Sequence, residues 1–198
     1  MIFLYKLICH RGFHDCKIKE NSLQGIKIAF KDDAYVGVEF DVRLTKDNEF
    51  VVFHDAYYNN KLIKNTYYKE LPKYVPKLED VLKIKSNKIF LIEVKNIENK
   101  YNKFIKLLGK YQDKNIYVMS FSNKIISKLN IENRNYKLGI LNYILNTTEL
   151  IHELDFIGIL NSLLNDSILE KLSNLEILSY GLFENLKYED IYYIVDNK

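Results

Sequence analysis

The sequence alternates short apolar runs with stretches in which apolar residues recur every three to four positions. Short apolar runs are typical of buried parallel strands, and the longer spacing is typical of helices that cover a sheet. Strands are predicted at residues 3–9, 36–43, 50–54, 88–95, 116–121, 136–141, 155–160 and 175–182. This order favours a small, somewhat irregular α/β barrel of the TIM (β/α)8 type, with an open doubly wound sheet as the alternative.

Two details refine that choice. No G-x-G-x-x-G motif follows the first strand, which disfavours a dinucleotide-binding open sheet. Only a short stretch that begins at residue 44 separates the second and third predicted strands, too few residues for a crossover helix. The barrel is therefore irregular there, or these two strands pair as a hairpin. The 198 residues are expected to form a single domain spanning 1–198.

Composition excludes several classes of protein. The net charge is only +3 and the lysines are spread along the chain, so a nucleic-acid-binding surface is not expected. No apolar stretch reaches the ~20 residues of a membrane-spanning helix, so stable membrane insertion is not expected either. The two cysteines, Cys9 and Cys16, cannot staple a chain of this size, which favours a reducing compartment and a cytoplasmic location.

Three carboxylates interrupt apolar strands. In GVEFDVRL, Glu39 and Asp41 share one face of a strand, and in FLIEVK, Glu93 and Lys95 do the same. Buried carboxylates are costly unless a cation or hydrogen-bond donors compensate them. Their oxygens are hard ligands of the kind that suits Mg2+ or Ca2+.

Two histidines follow apolar strands. His10 ends the first predicted strand, with Arg11 beside it, and His54 ends the third. Taken singly, each has an ordinary structural explanation. In a (β/α)8 barrel, however, the C-terminal ends of the strands meet at one mouth, where these residues and the carboxylates would form one site.

The motifs that carry these residues resemble the glycerophosphodiester phosphodiesterase family. They are HRG at 10–12, KENS at 19–22, GVEFDVRLTKDNEFVVFHD at 37–55, VPKLEDVL at 75–82 and FLIEVK at 90–95. The resemblance runs from residue 8 to 95 and continues more weakly through 117–122 and 137–141. It implies a phospholipase-C-like TIM barrel.

The resemblance further implies a metal-dependent enzyme that hydrolyses small glycerophosphodiesters to glycerol 3-phosphate and an alcohol. One divalent cation, Mg2+ or Ca2+, is the implied cofactor. The matching positions are the catalytic His10 and His54, the metal ligands Glu39, Asp41 and Glu93, and the substrate-binding Arg11, Lys95 and Glu20.

In the mechanism that the resemblance implies, the glycerol 2-hydroxyl attacks phosphorus and water then opens a cyclic phosphate. One histidine acts as the base and the other as the acid. We assign His10 to the base and His54 to the acid, and the reverse assignment stays open.

The chain departs from the family in several places. Lys19 replaces a proline before Glu20, and Tyr180-Gly181 stands where the family has Trp-Thr. The sequence ends at residue 198 without the family's closing Thr-Asp segment, which leaves open how the barrel closes near its last strand. Tyr180 either lines the substrate site or packs in the core.

Two alternatives remain at this stage. A phospholipase-type relative would act on lipid phosphodiesters at membranes. A catalytically weak barrel would only bind phosphate esters, and the short C-terminus favours that reading. Turnover of intact lipid, or no turnover at all, distinguishes them from the leading hypothesis.

Overall fold

The predicted alternation of strands and helices is present in a computed structural model, which describes residues 5–143, 153–183 and 186–197. The strands are β1 (Lys6–Cys9), β2 (Gly37–Leu44), β3 (Phe50–Val52), β4 (Tyr57–Tyr58), β5 (Lys61–Leu62), β6 (Ile89–Asn96), β7 (Asn115–Ser120), β8 (Lys137–Asn142), β9 (Phe156–Leu160), β10 (Glu176–Tyr180) and β11 (Tyr192–Val195). The helices are α1 (Leu23–Lys31), α2 (Leu78–Leu82), α3 (Tyr101–Leu108), α4 (Asn123–Leu129) and α5 (Asp166–Lys171).

Eight strands among the described residues close into a parallel barrel. The order around the barrel is β1, β2, β6, β7, β8, β9, β10 and β11, and β11 pairs in parallel with β1. Helices follow β1, β6, β7 and β9 along the chain, as the sequence spacing predicts. The predicted small TIM barrel is therefore confirmed.

The membership of the eight strands differs from the prediction. The apolar run at 50–54 was predicted as a barrel strand, but β3 pairs antiparallel with β2, with Val52 opposite Val42. A tight turn over 45–49 reverses the chain, with Asn48 in the left-handed region at φ 61°. The hairpin alternative is thus the correct one, and the barrel takes β11, which the sequence analysis omitted, as its eighth strand.

The first predicted strand is confirmed from Lys6 onward: Tyr5 precedes β1, and residues 3 and 4 lie outside the described residues. The last strand shows how the barrel closes, which the sequence left open. Although the chain stops soon after Val195, β11 pairs with both β10 and β1. A short strand of four residues is enough because it needs only to bridge its two neighbours.

The strands separate two apolar layers by alternation. Outward-facing side chains such as Val38 and Phe40 pack with residues of the helices, and inward-facing ones such as Ile8 and Leu91 fill the barrel. Continuing the inward series by two residues leads from Ile8 to His10 and from Leu91 to Glu93. The barrel interior therefore changes from apolar to ionisable at the C-terminal ends of these strands.

The first helix fixes the loop that leaves β1. Ser22 caps α1 by accepting a hydrogen bond from the Gly25 N–H, and Ile26 and Phe30 of α1 are buried against the barrel. This anchors residues 10–22 over the barrel mouth. Within the described ranges, every helix is too short or too polar to span a bilayer.

Close packing of the barrel interior can be tested at a glycine. A Cβ on Gly139 of β8 would lie 2.3 Å from ring carbons of Phe156 on the neighbouring strand. We expect Gly139→Ala to lower the free energy of unfolding by about 1–3 kcal/mol in urea denaturation, because the ring must move. Gly109→Ala, at the end of α3, meets atoms no nearer than 3.4 Å and is the control. It should be neutral or slightly stabilising.

Candidate active site

Three carboxylates meet at the C-terminal end of the barrel. Each of Glu39, Asp41 and Glu93 offers an oxygen, and these oxygens lie within 4.8 Å of one another. Asp41 of β2 is in register with Glu93 of β6, so the parallel pairing itself brings them side by side. All three are buried, with exposed fractions between 1% and 7%. Such a cluster needs cationic partners.

A left-handed turn aims one donor at this cluster. Arg11 and Gly12 both adopt positive φ, at 54° and 69°. A Cβ on Gly12 would lie 2.8 Å from the Ile26 nitrogen, so the third residue of HRG must be glycine. The turn allows the Arg11 backbone N–H to donate to Glu39 Oε2 at 3.0 Å.

Two basic side chains flank the carboxylates. Lys95 Nζ lies 2.6 Å from Glu93 Oε1 and 3.2 Å from Asp41 Oδ1. Arg11 Nε lies 3.4 Å from Asp41 Oδ2, and its Nη1 donates to both oxygens of Glu20. When the three clustered carboxylates and these two basic side chains are all ionised, the carboxylates carry one negative charge more than Lys95 and Arg11 neutralise.

An asparagine that the sequence analysis did not assign to the site holds Asp41. The Asn21 side chain donates to Asp41 Oδ2 at 2.8 Å and accepts from the Asp41 backbone N–H at 3.1 Å. Its own N–H donates to the Arg11 carbonyl. Asn21 sits at φ 57°, a region that asparagine tolerates better than most residues.

Burial governs the electrostatics of the cluster. Burial raises the pKa of Glu39 well above its ordinary value, and the charges of Asp41 and Glu93 raise it further. Burial also raises the pKa of Glu93, which Lys95 partly offsets. For Lys95, burial lowers the pKa, but the two carboxylates beside it outweigh burial and leave it raised. The cluster thus favours bound positive charge.

His10 stands between this cluster and the end of the chain. Its Nδ1 is 2.6 Å from Asp196 Oδ1, and its Nε2 is 3.9 Å from Glu39 Oε2. Its backbone N–H donates to the Val195 carbonyl, which ties β1 to β11 at the mouth. The carboxylate of Asp196 favours the proton on Nδ1, which leaves the Nε2 lone pair directed toward the carboxylates.

His54 reaches the site by a different route. The Phe53 N–H donates to the Asp41 carbonyl, and Arg43 Nε donates to the His54 carbonyl at 2.8 Å. The His54 ring pairs through Nδ1 with Asp55 at 2.9 Å. Within the described part of the chain, its side chain makes no hydrogen bond or ion pair with the other predicted site residues. The hairpin nevertheless places it near enough to influence the pKa of Glu93.

Aromatic side chains line one side of a small cavity at the site. A small cavity of about 60 Å³ is lined by Tyr180 and Phe121 together with His10, Glu39 and Glu93. The Tyr180 hydroxyl donates to the Asn142 carbonyl, and its ring meets Phe121 edge-on at 5.7 Å. Of the two alternatives for Tyr180, the structure therefore favours the site wall.

Comparison with known protein families decides the assignment. Residues 10–173 match the model of the glycerophosphoryl diester phosphodiesterase family. The chain belongs to this family. The match covers most of the sequence and includes every residue predicted for the site, so the resemblance seen in the motifs is confirmed.

Solved structures share the glycerophosphodiester phosphodiesterase fold. A structure from Galdieria sulphuraria is 17% identical, with a TM-score of 0.80 over 97% of this chain and 93% of the other. A phosphodiesterase from Oleispira antarctica, solved with the product sn-glycerol-3-phosphate, is 20% identical, with a TM-score of 0.78 over 91% and 85%. A glycerophosphodiester phosphodiesterase from Parabacteroides distasonis is 19% identical, with a TM-score of 0.77 over 97% and 92%. No curated protein matches the chain in sequence.

Two residues that contact the predicted site were not predicted from the sequence. Asn21 was visible within KENS, but its hydrogen bonds to Asp41 depend on the fold of the loop after β1. Asp196 follows the apolar run IYYIV directly, a signal that indicates a strand ending in an acid. The departure from the family's closing Thr-Asp segment hides this signal, because the acid here follows valine and not threonine.

Proposed function

We propose that the chain is a metal-dependent phosphodiesterase that hydrolyses glycerophosphodiesters to glycerol 3-phosphate and an alcohol. The observation that carries the proposal is the position of the His10 imidazole, which Asp196 holds beside the buried carboxylates. Arg11 and Lys95 lie next to the same carboxylates. A phosphodiester is an anion, so its attack requires this kind of charge neutralisation.

The carboxylates fit one divalent cation. Glu39, Asp41 and Glu93 provide closely spaced oxygen donors with one negative charge more than Arg11 and Lys95 balance. Three carboxylates suit Mg2+ or Ca2+ equally in chemical type. When bound, such a cation supplies Lewis-acid stabilisation of the phosphate oxygens.

The basic side chains have distinct proposed roles. Lys95 lies beside two of the proposed metal ligands, so its ammonium group can face a phosphate oxygen held there. Glu20 accepts two hydrogen bonds from Arg11 Nη1, which orients the guanidinium at the mouth. We propose that Arg11 binds the phosphate through its remaining donors and that Glu20 belongs to the substrate site by fixing Arg11.

The two histidines complete the proton transfers. His10 Nε2 removes the proton of the glycerol 2-hydroxyl as its oxygen bonds to phosphorus. The bond from phosphorus to the alcohol oxygen breaks, and His54 gives that oxygen a proton. In the second step His54 takes a proton from water, which opens the cyclic phosphate, and His10 returns its proton to the 2-oxygen. Both histidines regain their starting protonation states.

The decisive experiment measures glycerol 3-phosphate release by the purified chain. Glycerophosphocholine and glycerophosphoethanolamine are supplied with Mg2+, with Ca2+ and with a chelator. We expect turnover that requires the cation and ranks the two substrates. A folded protein that turns over neither substrate with either ion contradicts the proposal, and turnover of intact phospholipid instead selects the phospholipase-type alternative.

Asp196 is predicted to position His10. Asp196→Asn keeps a group that can hydrogen-bond Nδ1 but removes the charge that fixes the imidazole. We expect kcat to fall by roughly 10- to 100-fold with KM little changed, because the substrate contacts stay in place. Asp190→Asn, on an exposed residue before β11, is the matched control. Loss confined to KM, or equal loss in the control, contradicts the positioning role.

Three further proposals concern domain organisation, catalytic competence and cellular location. The parallel pairing of β11 with β1 supports one domain over all 198 residues. Because β11 closes the barrel and Asp196 contacts His10, the short C-terminus no longer favours a catalytically weak barrel. Cys9 is buried and Cys16 is exposed, and both are free thiols, in keeping with the proposed cytoplasmic location.

A further inference from the structure

Arg43 lies near the C-terminal end of β2, where this strand pairs with both β6 and β3. It is two residues beyond Asp41, so strand alternation places both on the face that bears the carboxylates. The pairing with β6 shifts by one residue at this point, because Val42 is opposite Val94 but Arg43 is opposite Asn96. Irregularities of this kind change the direction of a side chain and are common beside active sites. The side chain of Arg43 is turned toward the end of the hairpin, as its contacts show.

The Arg43 side chain makes one hydrogen bond. Its Nε donates to the His54 carbonyl at 2.8 Å, and within the described part of the chain it forms no other hydrogen bond and no salt bridge. Burial lowers the pKa of Arg43 more than the charges of Asp41, Asp55 and Glu93 raise it. An arginine placed here for its charge would pair directly with one of these carboxylates. The bond to His54 is therefore its specific contact.

Few other contacts hold His54 in place. The Phe53 N–H donates to the Asp41 carbonyl, which is the last backbone hydrogen bond from the end of β3 to β2. Among the residues that the structure describes, the His54 N–H donates to no partner, and the His54 carbonyl accepts only from Arg43. The His54 ring pairs with Asp55, which is the next residue and moves with it. The bond from Arg43 is thus the hydrogen bond that connects His54 to another element.

The other proposed catalytic histidine is fixed differently. The His10 N–H donates to the Val195 carbonyl and its Nδ1 contacts Asp196, so both its main chain and its ring are held by the last strand and the residue after it. His54 has only the bond to its carbonyl. Its imidazole must still come within hydrogen-bond reach of the leaving alcohol in the proposed reaction. Since a displacement of about 1 Å can lower a rate by roughly 100-fold, whatever fixes His54 affects the rate.

We propose that Arg43 is a positioning residue, which fixes the main chain of His54 so that its imidazole faces the phosphodiester. The inference rests on the proposed function, because that function gives His54 a proton to transfer. It assigns Arg43 a different task from those of Arg11 and Lys95, whose charges act on the carboxylates and the phosphate. The task requires an N–H group at the position of Nε and does not require the positive charge.

Two substitutions separate the hydrogen bond from the charge. Methionine and glutamine both match arginine in length as far as Nε, where glutamine has an NH2 group and methionine has a methyl group. We expect Arg43→Met to lower kcat for glycerophosphocholine by roughly 10- to 100-fold, with KM changed by no more than about twofold. Arg43→Gln should stay within about threefold of the wild type, because its amide can donate to the same carbonyl.

A double-mutant cycle tests whether Arg43 acts through His54. In the His54→Ala background the imidazole is absent, and its position no longer matters. Arg43→Met should therefore lower the remaining activity by no more than about twofold in that background. A general disturbance of the barrel would lower activity equally in both backgrounds. Thermal unfolding verifies that each variant is folded.

NMR relaxation tests the same inference without substrate. The backbone amide order parameter of His54 should be about 0.85 in the wild type and below about 0.6 in Arg43→Met. Phe53 is the internal control, because its N–H is held by the Asp41 carbonyl in every variant. Arg43→Gln should leave both residues ordered. If the wild type hydrolyses no glycerophosphodiester, the proposed function fails, and the order parameters still decide whether Arg43 fixes His54.

Several results would overturn the positioning role. Equal losses of kcat in Arg43→Met and Arg43→Gln would assign the effect to the charge of Arg43. A loss that persists undiminished in the His54→Ala background, or one confined to KM, would show that Arg43 does not act through His54. An order parameter of His54 that is unchanged in Arg43→Met would show that other contacts hold this residue.

Discussion

Replacing His10 with alanine is expected to lower kcat for glycerophosphodiester hydrolysis by about 10³- to 10⁴-fold. The imidazole is the group whose Nε2 faces the carboxylates while Asp196 holds Nδ1, so alanine removes the proposed base. The thermal unfolding midpoint should change little, because the ring is one-third exposed. The kinetics of glycerol 3-phosphate release and thermal unfolding measure the two effects separately.

His14→Ala is the matched control for this variant. His14 lies in the same loop, but its Nδ1 contacts the Gly12 carbonyl rather than a carboxylate of the site. It should retain kcat near the wild-type value. If His14→Ala loses as much activity as His10→Ala, the loop and not the imidazole of His10 is responsible.

The leaving group distinguishes the base from the acid. The p-nitrophenyl ester of glycerol 3-phosphate releases an alcohol that needs no proton. If His54 is the acid, His54→Ala should recover most of the rate of p-nitrophenolate release, which reports the first step, while opening of the cyclic phosphate stays slow. His10→Ala should remain slow in p-nitrophenolate release. The opposite pattern of recovery would reverse the two roles.

The second large effect concerns the carboxylate cluster. Glu39→Gln is expected to lower activity by two or more orders of magnitude, since it removes one of three anionic donors for the proposed cation. In the wild type, a cation at 100 times its dissociation constant should stabilise the fold by about 2.7 kcal/mol, and the variant should lose most of this shift. Thermal unfolding with and without Mg2+ or Ca2+ measures it.

Without a cation, the same substitution should stabilise the protein. The folded-state pKa of Glu39 is raised by burial and by Asp41 and Glu93. A raised pKa means that stability is full below the unfolded-state pKa and is lost as pH rises through the folded-state pKa. The gain from glutamine, about 1 kcal/mol or more at neutral pH, should therefore vanish in acid. Glu79→Gln, on an exposed ion pair with Lys110, should show neither effect.

The sequence predicted the centre of this site because strand alternation alone brings its groups together. Glu39 and Asp41 share a face by spacing, and Glu93 joins them through the register of two parallel strands. His54 was harder to place. An apolar run before it looks the same in a barrel strand as in a hairpin, and only the short connection to β2 distinguished the two.

The C-terminal end escaped prediction for a physical reason. β11 has only four residues, and one of its two partner strands, β1, lies at the other end of the sequence, so local spacing does not show that this short apolar run closes the ring. The partner of Asp196, His10, is separated from it by 186 positions. Contacts of this kind follow from closure of the ring and cannot be read from local spacing.

Residues 56–74, inserted between β3 and α2, begin and end at the same point of the fold. The Val52 N–H donates to the Pro76 carbonyl at 2.9 Å, and Val51 forms a bridge with Lys77, so the chain leaves and returns beside β3. The cost of closing a loop grows only with the logarithm of its length. Residues 56–74 can therefore be lengthened at little entropic cost, provided that Ile63 and Leu71 keep their packing on Val51 of β3. Divergence in what such enzymes accept can therefore proceed by grafting at this junction, while the proton-transfer machinery stays fixed.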